Sequence, residues 1–359
     1  MSAGQERRAR PWRLVARALV SVGGVVTAAL TVPIGATAAA PTTTLPTTTT
    51  SLPVPVSNSS GCSVTQPPKP GTTTLYMNAG GDVGGYIREL PSSYTGRTPM
   101  PVVVDLHGYG VSAYDMVAVT QLGTFGNRNR FITITPQVAR HIPYWKTGFK
   151  SKDLAFLRGV LTNVTSSLCV DQNRLFVTGY SNGAIMASVL ACADAAQVAA
   201  IAPVSGVANP SGCKPSRPVP VVAFHGTSDP LVSYTGGLGS LAYKLPLPPG
   251  TKGTISQLLG DNVPQSTTGP SIPKSTAAWA KRDGCSSTST TRVVAKNVAL
   301  IAYPCANGSS VELYRIRGGG HTWPGSVLDS KSNVLGATTL AINADKIMWD
   351  FFRAHPLGH

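Results

Sequence analysis

The stretch Gly179-Tyr180-Ser181-Asn182-Gly183 constrains the chain most. The apolar run Arg174–Thr178 before it has strand character, and Ala184–Ala191 after it has helical composition. A strand, a Gly-flanked turn and a helix form the nucleophile-elbow pattern, in which a sharp bend lifts a Ser hydroxyl over the sheet edge. Gly fills 37 of 359 positions, so the pentapeptide alone has weak specificity. The meaning of Ser181 depends on what the rest of the chain brings to it.

Several further segments alternate between the two periods. Thr72–Asn78 and Gly84–Leu90 read as two strands joined through Gly80-Gly81, with Asp82 in the turn. Pro101–Leu106 is a continuous apolar run, the mark of a strand buried on both faces, and it leads into His107-Gly108-Tyr109-Gly110. Arg130–Thr135 is the next strand. Leu154, Leu157, Val160, Leu161, Val164 and Leu168 recur at helical spacing, predicting a helix over 152–168. Val198–Val204, Pro218–Phe224, Val293–Tyr303 and Val311–Ile316 read as strands, Ser275–Arg282 as a short helix and Ala337–Phe352 as the closing helix, with Leu340 on its buried side. This alternation predicts an α/β fold with a mostly parallel sheet and helices on both faces. Residues 235–273 break the rhythm with Gly, Pro, Thr and Ser, and are expected to be a lid, a substrate-contact loop or a flexible surface insertion.

Residues 1–40 carry Arg7, Arg8, Arg10, Arg13 and Arg17, then an apolar run and small residues to Ala40. That is the order of a secretory signal, with cleavage expected after Ala38 or Ala39. An uncleaved anchor fits less well, because the run is short and interrupted by Gly23, Gly24 and Pro33. Residues 41–60 are Thr-, Pro- and Ser-rich and read as a disordered linker, leaving 61–359 as one catalytic-size domain. The net charge is +15, or +11 without residues 1–40, which hold five Arg and one Glu. The charges are scattered and accompany no nucleic-acid motif, so no nucleic-acid partner is expected. Nor is a stable membrane partner after cleavage, and the protein is expected to be monomeric. Six Cys in an exported chain predict three disulfides. Cys285 and Cys305 are the first pair, the other four stay unassigned, and no C-x-x-C spacing points to a metal.

A Ser nucleophile needs a base, and the base an orienting acid. Of the six His, His321 lies in Gly318-Gly319-Gly320-His321-Thr322-Trp323-Pro324-Gly325 after the last predicted strand. Asp229 is the acid that follows a strongly predicted strand by a few residues, in His225-Gly226-Thr227-Ser228-Asp229-Pro230. Ser181, Asp229 and His321 then stand in the order Ser, acid, His. The His107–Gly110 loop offers backbone N–H groups for a developing oxyanion.

Together these four segments resemble the exported poly(3-hydroxybutyrate) depolymerase-like esterases, a group that is also similar to feruloyl and acetylxylan esterases. The resemblance runs from about Tyr76 to Pro356. It implies an α/β-hydrolase fold, no cofactor, and cleavage of carboxylic esters, with Ser181 as nucleophile, His321 as base and Asp229 as orienting acid. The N–H groups of Asn182 and Tyr109 would form the oxyanion hole. Trp145, Trp323 and Tyr109 are expected to line the substrate pocket. Two stretches depart from the family pattern: 235–273 is longer, and Lys146-Thr147-Gly148 stands where an Asn-Ala-Gly element is common. The expected function is thus a secreted, wall-associated or free polyester hydrolase acting on an ester substrate. Its alternatives are a feruloyl or acetylxylan esterase, a general short-chain carboxylesterase, or a wall-associated binding protein with an inactive domain.

Overall fold

The computed structural model describes residues 55–358 except 261, 265–267, 307 and 332–333. The expected signal and all but the end of the expected linker lie outside the described residues. The strands are β1 (Gly71–Ala79), β2 (Asp82–Leu90), β3 (Met100–Leu106), β4 (Ile132–Val138), β5 (Val170–Tyr180), β6 (Ala200–Val204), β7 (Val221–Gly226), β8 (Thr290–Ala295), β9 (Val298–Tyr303) and β10 (Val311–Ile316). The helices are α1 (Ala113–Thr120), α2 (Leu122–Asn129), α3 (Lys152–Ser167), α4 (Asn182–Ala193), α5 (Ile255–Leu259), α6 (Ile272–Arg282) and α7 (Ala344–Ala354).

All ten strands form one sheet in the order β1-β2-β4-β3-β5-β6-β7-β10-β9-β8. The centre, from β4 to β10, is parallel, and the hairpins β1–β2 and β8–β9 add antiparallel edges. Alternate side chains of the central strands feed two cores. Val102, Val104 and Leu106 join the side covered by α3, α4 and α6, whereas Val103 joins the side covered by α1, α2 and α7. This is the α/β-hydrolase architecture.

The observed elements differ from expectation where local signals are short. Asp82 opens β2, paired with Ala79, instead of sitting in the turn. The run Val293–Tyr303 is two strands, folded back at Asn297, whose φ of 60° makes the bend. Residues 337–343 are not helical. The carbonyls of Ala337 and Thr339 accept from Gly320 and Gly325, and Asn343 caps α7 by accepting from the Lys346 N–H. Leu340 is 61% exposed instead of buried.

Residues 55–60, expected as the end of a linker, are pinned to the start of β5. Asp171 Oδ1 accepts from the Ser57 N–H, and Ser59 Oγ donates to the Leu168 carbonyl. Three disulfides form: Cys62–Cys169, Cys192–Cys213 and the expected Cys285–Cys305.

The 235–273 segment is packed. Leu238, Ala242, Ile255, Leu259 and Val263 bury themselves with Tyr144 and Ile185 in a third apolar cluster. Its backbone is tied down as well: the Leu259 carbonyl accepts from the Thr147 N–H, and Asn262 Nδ2 donates to the Thr147 carbonyl.

Candidate active site

The sheet topology collects the candidate residues at one edge. β3, β5, β7 and β10 run parallel in the sheet, so the loops after them open at the same end. Those loops carry Tyr109, Ser181, Asp229 and His321. This is where an open α/β sheet binds its ligands.

Ser181 occupies φ 58° and ψ −118° at the junction of β5 and α4. A non-Gly residue there costs about 1–3 kcal/mol, so the surroundings must over-determine it. They do so by close approach. A Cβ on Gly179 would lie 2.5 Å from the Gly183 carbonyl carbon, and a Cβ on Gly183 would lie 2.1 Å from the Leu106 carbonyl oxygen. Only Gly permits strand and helix to meet this tightly. The Ser181 N–H donates to the Val204 carbonyl at 2.9 Å and closes the turn.

Asp229 Oδ2 and His321 Nδ1 are 2.7 Å apart. Asp229 Oδ1 accepts from the N–H groups of Leu231 and Val232 at 2.8 and 2.9 Å. A second imidazole, His225, places Nε2 3.2 Å from the same Oδ2 and 2.9 Å from the Val232 carbonyl. Burial pushes the Asp229 carboxyl up, but the charges of His321 and His225 and the bonds they donate outweigh it and hold it well below the usual carboxylate range. With Nδ1–H directed at a carboxylate, Nε2 is the ring nitrogen left to accept a proton. That nitrogen is buried and has no hydrogen-bond partner among the described residues, Ser181 Oγ included. Such bonds often tighten only when substrate binds.

The His321 loop is held from behind. The Tyr180 hydroxyl donates to the His321 carbonyl, and the two rings lie 4.9 Å apart. The His321 N–H donates to the Leu335 carbonyl at 2.7 Å. The Tyr109 and Asn182 N–H groups donate to no acceptor among the described residues. For Asn182 this follows from its place in the first turn of α4, where N–H groups lack helical partners. Among the described residues, no group of three or more His, Cys, Asp or Glu is gathered to hold a metal ion.

Two of the three expected pocket residues are elsewhere. Trp145 is 0% exposed, and its Nε1–H donates to the His107 carbonyl at 3.0 Å. Trp323 is 1% exposed and donates to Asp345 Oδ1 at 2.8 Å. Both indoles are core, because each N–H finds a buried acceptor and its ring fills space behind the loops. Tyr109 does sit at the edge of the insertion, its hydroxyl donating to the Pro246 carbonyl at 2.5 Å. Sequence reasoning missed His225 as a partner of Asp229 and the Asn182 side chain as a partner of Trp145. The four-residue spacing from His225 to Asp229 was the available signal for the first.

The family described as Phospholipase/Carboxylesterase matches residues 146–247. Feruloyl esterase B of Piromyces equi is 27% identical over 246 residues, which cover 66% of this chain and 42% of the relative. Feruloyl esterase C of Emericella nidulans is 30% identical over 194 residues, covering 52% of this chain and 67% of the relative. This chain belongs to the feruloyl esterase-like family of α/β-hydrolases. It spans about half the length of the curated relatives it matches, 42% and 67% of these two. Among solved structures, an acetyl xylan esterase from Aspergillus awamori shares the fold. It has a TM-score of 0.51 and 16% identity, covering 79% of this chain and 99% of that one.

Proposed function

We propose that this protein is a serine esterase that hydrolyses carboxylic esters through an acyl-enzyme. The observation that carries the reading is the Asp229–His321 pair at 2.7 Å with Nε2 unpartnered, at the same end of the sheet as a Ser held at a strained strand–helix turn. In the first half-reaction His321 Nε2 takes the Ser181 proton as Oγ attacks the ester carbonyl carbon. The carbonyl π pair moves to oxygen, where the Tyr109 and Asn182 N–H groups receive it. Each such donor is worth about 3–4 kcal/mol in comparable sites. Collapse breaks the acyl–oxygen bond, and His321 passes the proton to the leaving alcohol. Water then repeats the sequence on the acyl-enzyme and releases the acid.

The substrate we favour is a phenolic ester of the plant cell wall, because the named relatives are feruloyl esterases. This exchanges the order of the two readings drawn from sequence, which put polyester first. The packed 235–273 segment, joined to Tyr109 through Pro246, forms one wall of the cleft in this reading. Export fits three disulfides, which persist in oxidising compartments. Among the described residues no helix is long and apolar enough to cross a membrane.

A substrate panel tests the reading: methyl ferulate, feruloylated and acetylated xylan oligosaccharides, and hydroxybutyrate oligomers. The expected result is turnover of methyl ferulate above that of the hydroxybutyrate oligomers, abolished by Ser181→Ala. Faster cleavage of the oligomers restores the polyester reading. Failure of a fluorophosphonate to label Ser181 favours a binding protein without activity.

A further inference from the structure

The two oxyanion donors belong to different segments, one after β3 and one at the start of α4. An oxyanion is stabilised only if both N–H groups lie about 2.7–3.1 Å from a single oxygen. Their spacing must therefore be set by something that grips both segments. The geometry points to Trp145 and the Asn182 carboxamide as positioning residues that set this spacing, an inference that rests on the esterase reading above.

Trp145 touches both sides. Its peptide group is clasped by the Asn182 side chain: Oδ1 accepts from the Trp145 N–H at 2.7 Å, and Nδ2 donates to the Trp145 carbonyl at 3.0 Å. Its indole reaches the other side. Nε1–H donates to the His107 carbonyl, and the ring lies 4.7 Å from the His107 imidazole. The same loop is caught once more where the Gly110 N–H donates to the Pro143 carbonyl at 2.8 Å. Trp145, Asn182 and His107 are all at most 2% exposed, so water does not compete for these bonds.

The segment that carries Trp145 is braced from outside. Arg140 donates to the Tyr144 carbonyl and to Asp153 Oδ2, each at 2.7 Å. Asp153 Oδ2 also accepts from the Lys146 N–H at 2.8 Å. Residues 140–146 thus form a strut closed at both ends on Asp153 of α3, with Trp145 wedged between the donor segments. The side-chain chemistry is specific. A carboxamide both accepts and donates in one plane and so matches a peptide group. An indole supplies a flat ring with a single N–H donor.

The test uses the full protein with a p-nitrophenyl ester and a trifluoromethyl ketone, which adds to Ser181 as a tetrahedral oxyanion. The variants are Asn182→Ala and Trp145→Phe. A donor displaced by about 1 Å can cost about 100-fold. The expected result is a kcat lower by about 10- to 100-fold with KM within about threefold. Ketone affinity should fall by the same factor as kcat/KM. The double variant should be hardly worse than Asn182→Ala, because both changes break one strut.

Unchanged kcat, a loss confined to KM, or a lower melting temperature with normal kinetics overturns the proposal. If Asn182→Ala does not fold, Trp145→Phe, which keeps a ring in place, decides it alone. The two readings fail differently. Wild-type protein with no ester turnover, or with turnover that survives Ser181→Ala, sinks the esterase reading. Turnover that depends on Ser181 but ignores both variants sinks only the strut.

Discussion

Asp229 and Asp345 are each 7% exposed, yet the protein shifts their pKa values in opposite directions. Asp229 faces four donors: two backbone N–H groups and two imidazoles. Asp345 is bonded by Trp323 Nε1–H at 2.8 Å. Burial pushes Asp345 up to about 7, more than the Trp323 bond and the Arg128 charge offset. Asp105, fully buried with one Thr120 hydroxyl, is likewise pushed well above the usual carboxylate range by burial. The lesson is that charged partners and the bonds they donate, not the depth of burial alone, decide the direction in which these carboxylates shift. Of these three, only Asp229, bonded to His321, is shifted downward.

The sharpest way to break the comparison is Asp229→Asn. The change keeps the shape but reverses one hydrogen-bond role toward His321, and by analogy with serine-hydrolase triads kcat should fall by about 10⁴-fold. Initial rates on methyl ferulate, with circular dichroism to establish folding, check this. A loss under tenfold places the orienting acid elsewhere.

Next in size is His225→Asn, which removes one of the two imidazoles on Asp229 Oδ2. A bond to a charged group is worth about 1.5–3 kcal/mol, so a loss of roughly tenfold or more in kcat is expected. An unchanged kcat makes His225 a packing residue. Tyr109→Phe frees the Pro246 carbonyl and loosens the insertion. Its cost is about 1 kcal/mol, read as a severalfold rise in KM with kcat nearly kept.

The smallest effect belongs to Asp345→Asn and concerns stability. With a folded-state pKa raised to about 7, the native state keeps a proton that the unfolded chain releases near pH 4. Stability contributed by this group is therefore full below about pH 4 and lost as pH rises toward 7. The Asn variant should flatten that slope and raise the melting temperature at pH 8 by about 2–4 °C. Asp229 has the opposite sign. Its depressed pKa stabilises the fold above about pH 4, and that contribution disappears on acidification. Melting curves of the two variants from pH 3 to 8 should diverge in these directions, and parallel curves would remove the contrast.

Much of the site was legible because its constraints are local. The Gly179 and Gly183 positions, the order Ser181–Asp229–His321 and the apolar strand before each loop all lie within a few residues. The errors arose where a distant partner decides the outcome. The Trp145 and Trp323 rings look suited to a cleft, but their N–H groups are taken by His107 and Asp345. Residues 337–343 carry apolar and small residues in a helix-like run, yet they pair with the His321 loop. The helices α1 and α2 are only eight residues each, and α1 carries little periodic signal. They rest on caps instead, a Ser112–Asp115 capping box and a left-handed Gln121 between them.

The docking of residues 55–60 has a practical consequence. These residues are fastened where β5 begins, and the Cys62–Cys169 bridge rivets the same corner. Ser181 follows immediately after the last residue of β5. Val170 to Gly179 pairs with Met100 to Leu106 of β3, six steps of about 3.3 Å, so with two residues more to Ser181 the two points are roughly 20–25 Å apart, at opposite poles of the sheet. Cargo attached ahead of residue 55, whether a resin, a fluorophore or a carrier domain, leaves from the pole away from Ser181. Immobilisation through that end should leave Ser181 facing away from the support, whereas cross-linking through Lys244, two residues from the Pro246 carbonyl that holds Tyr109, should disturb the site.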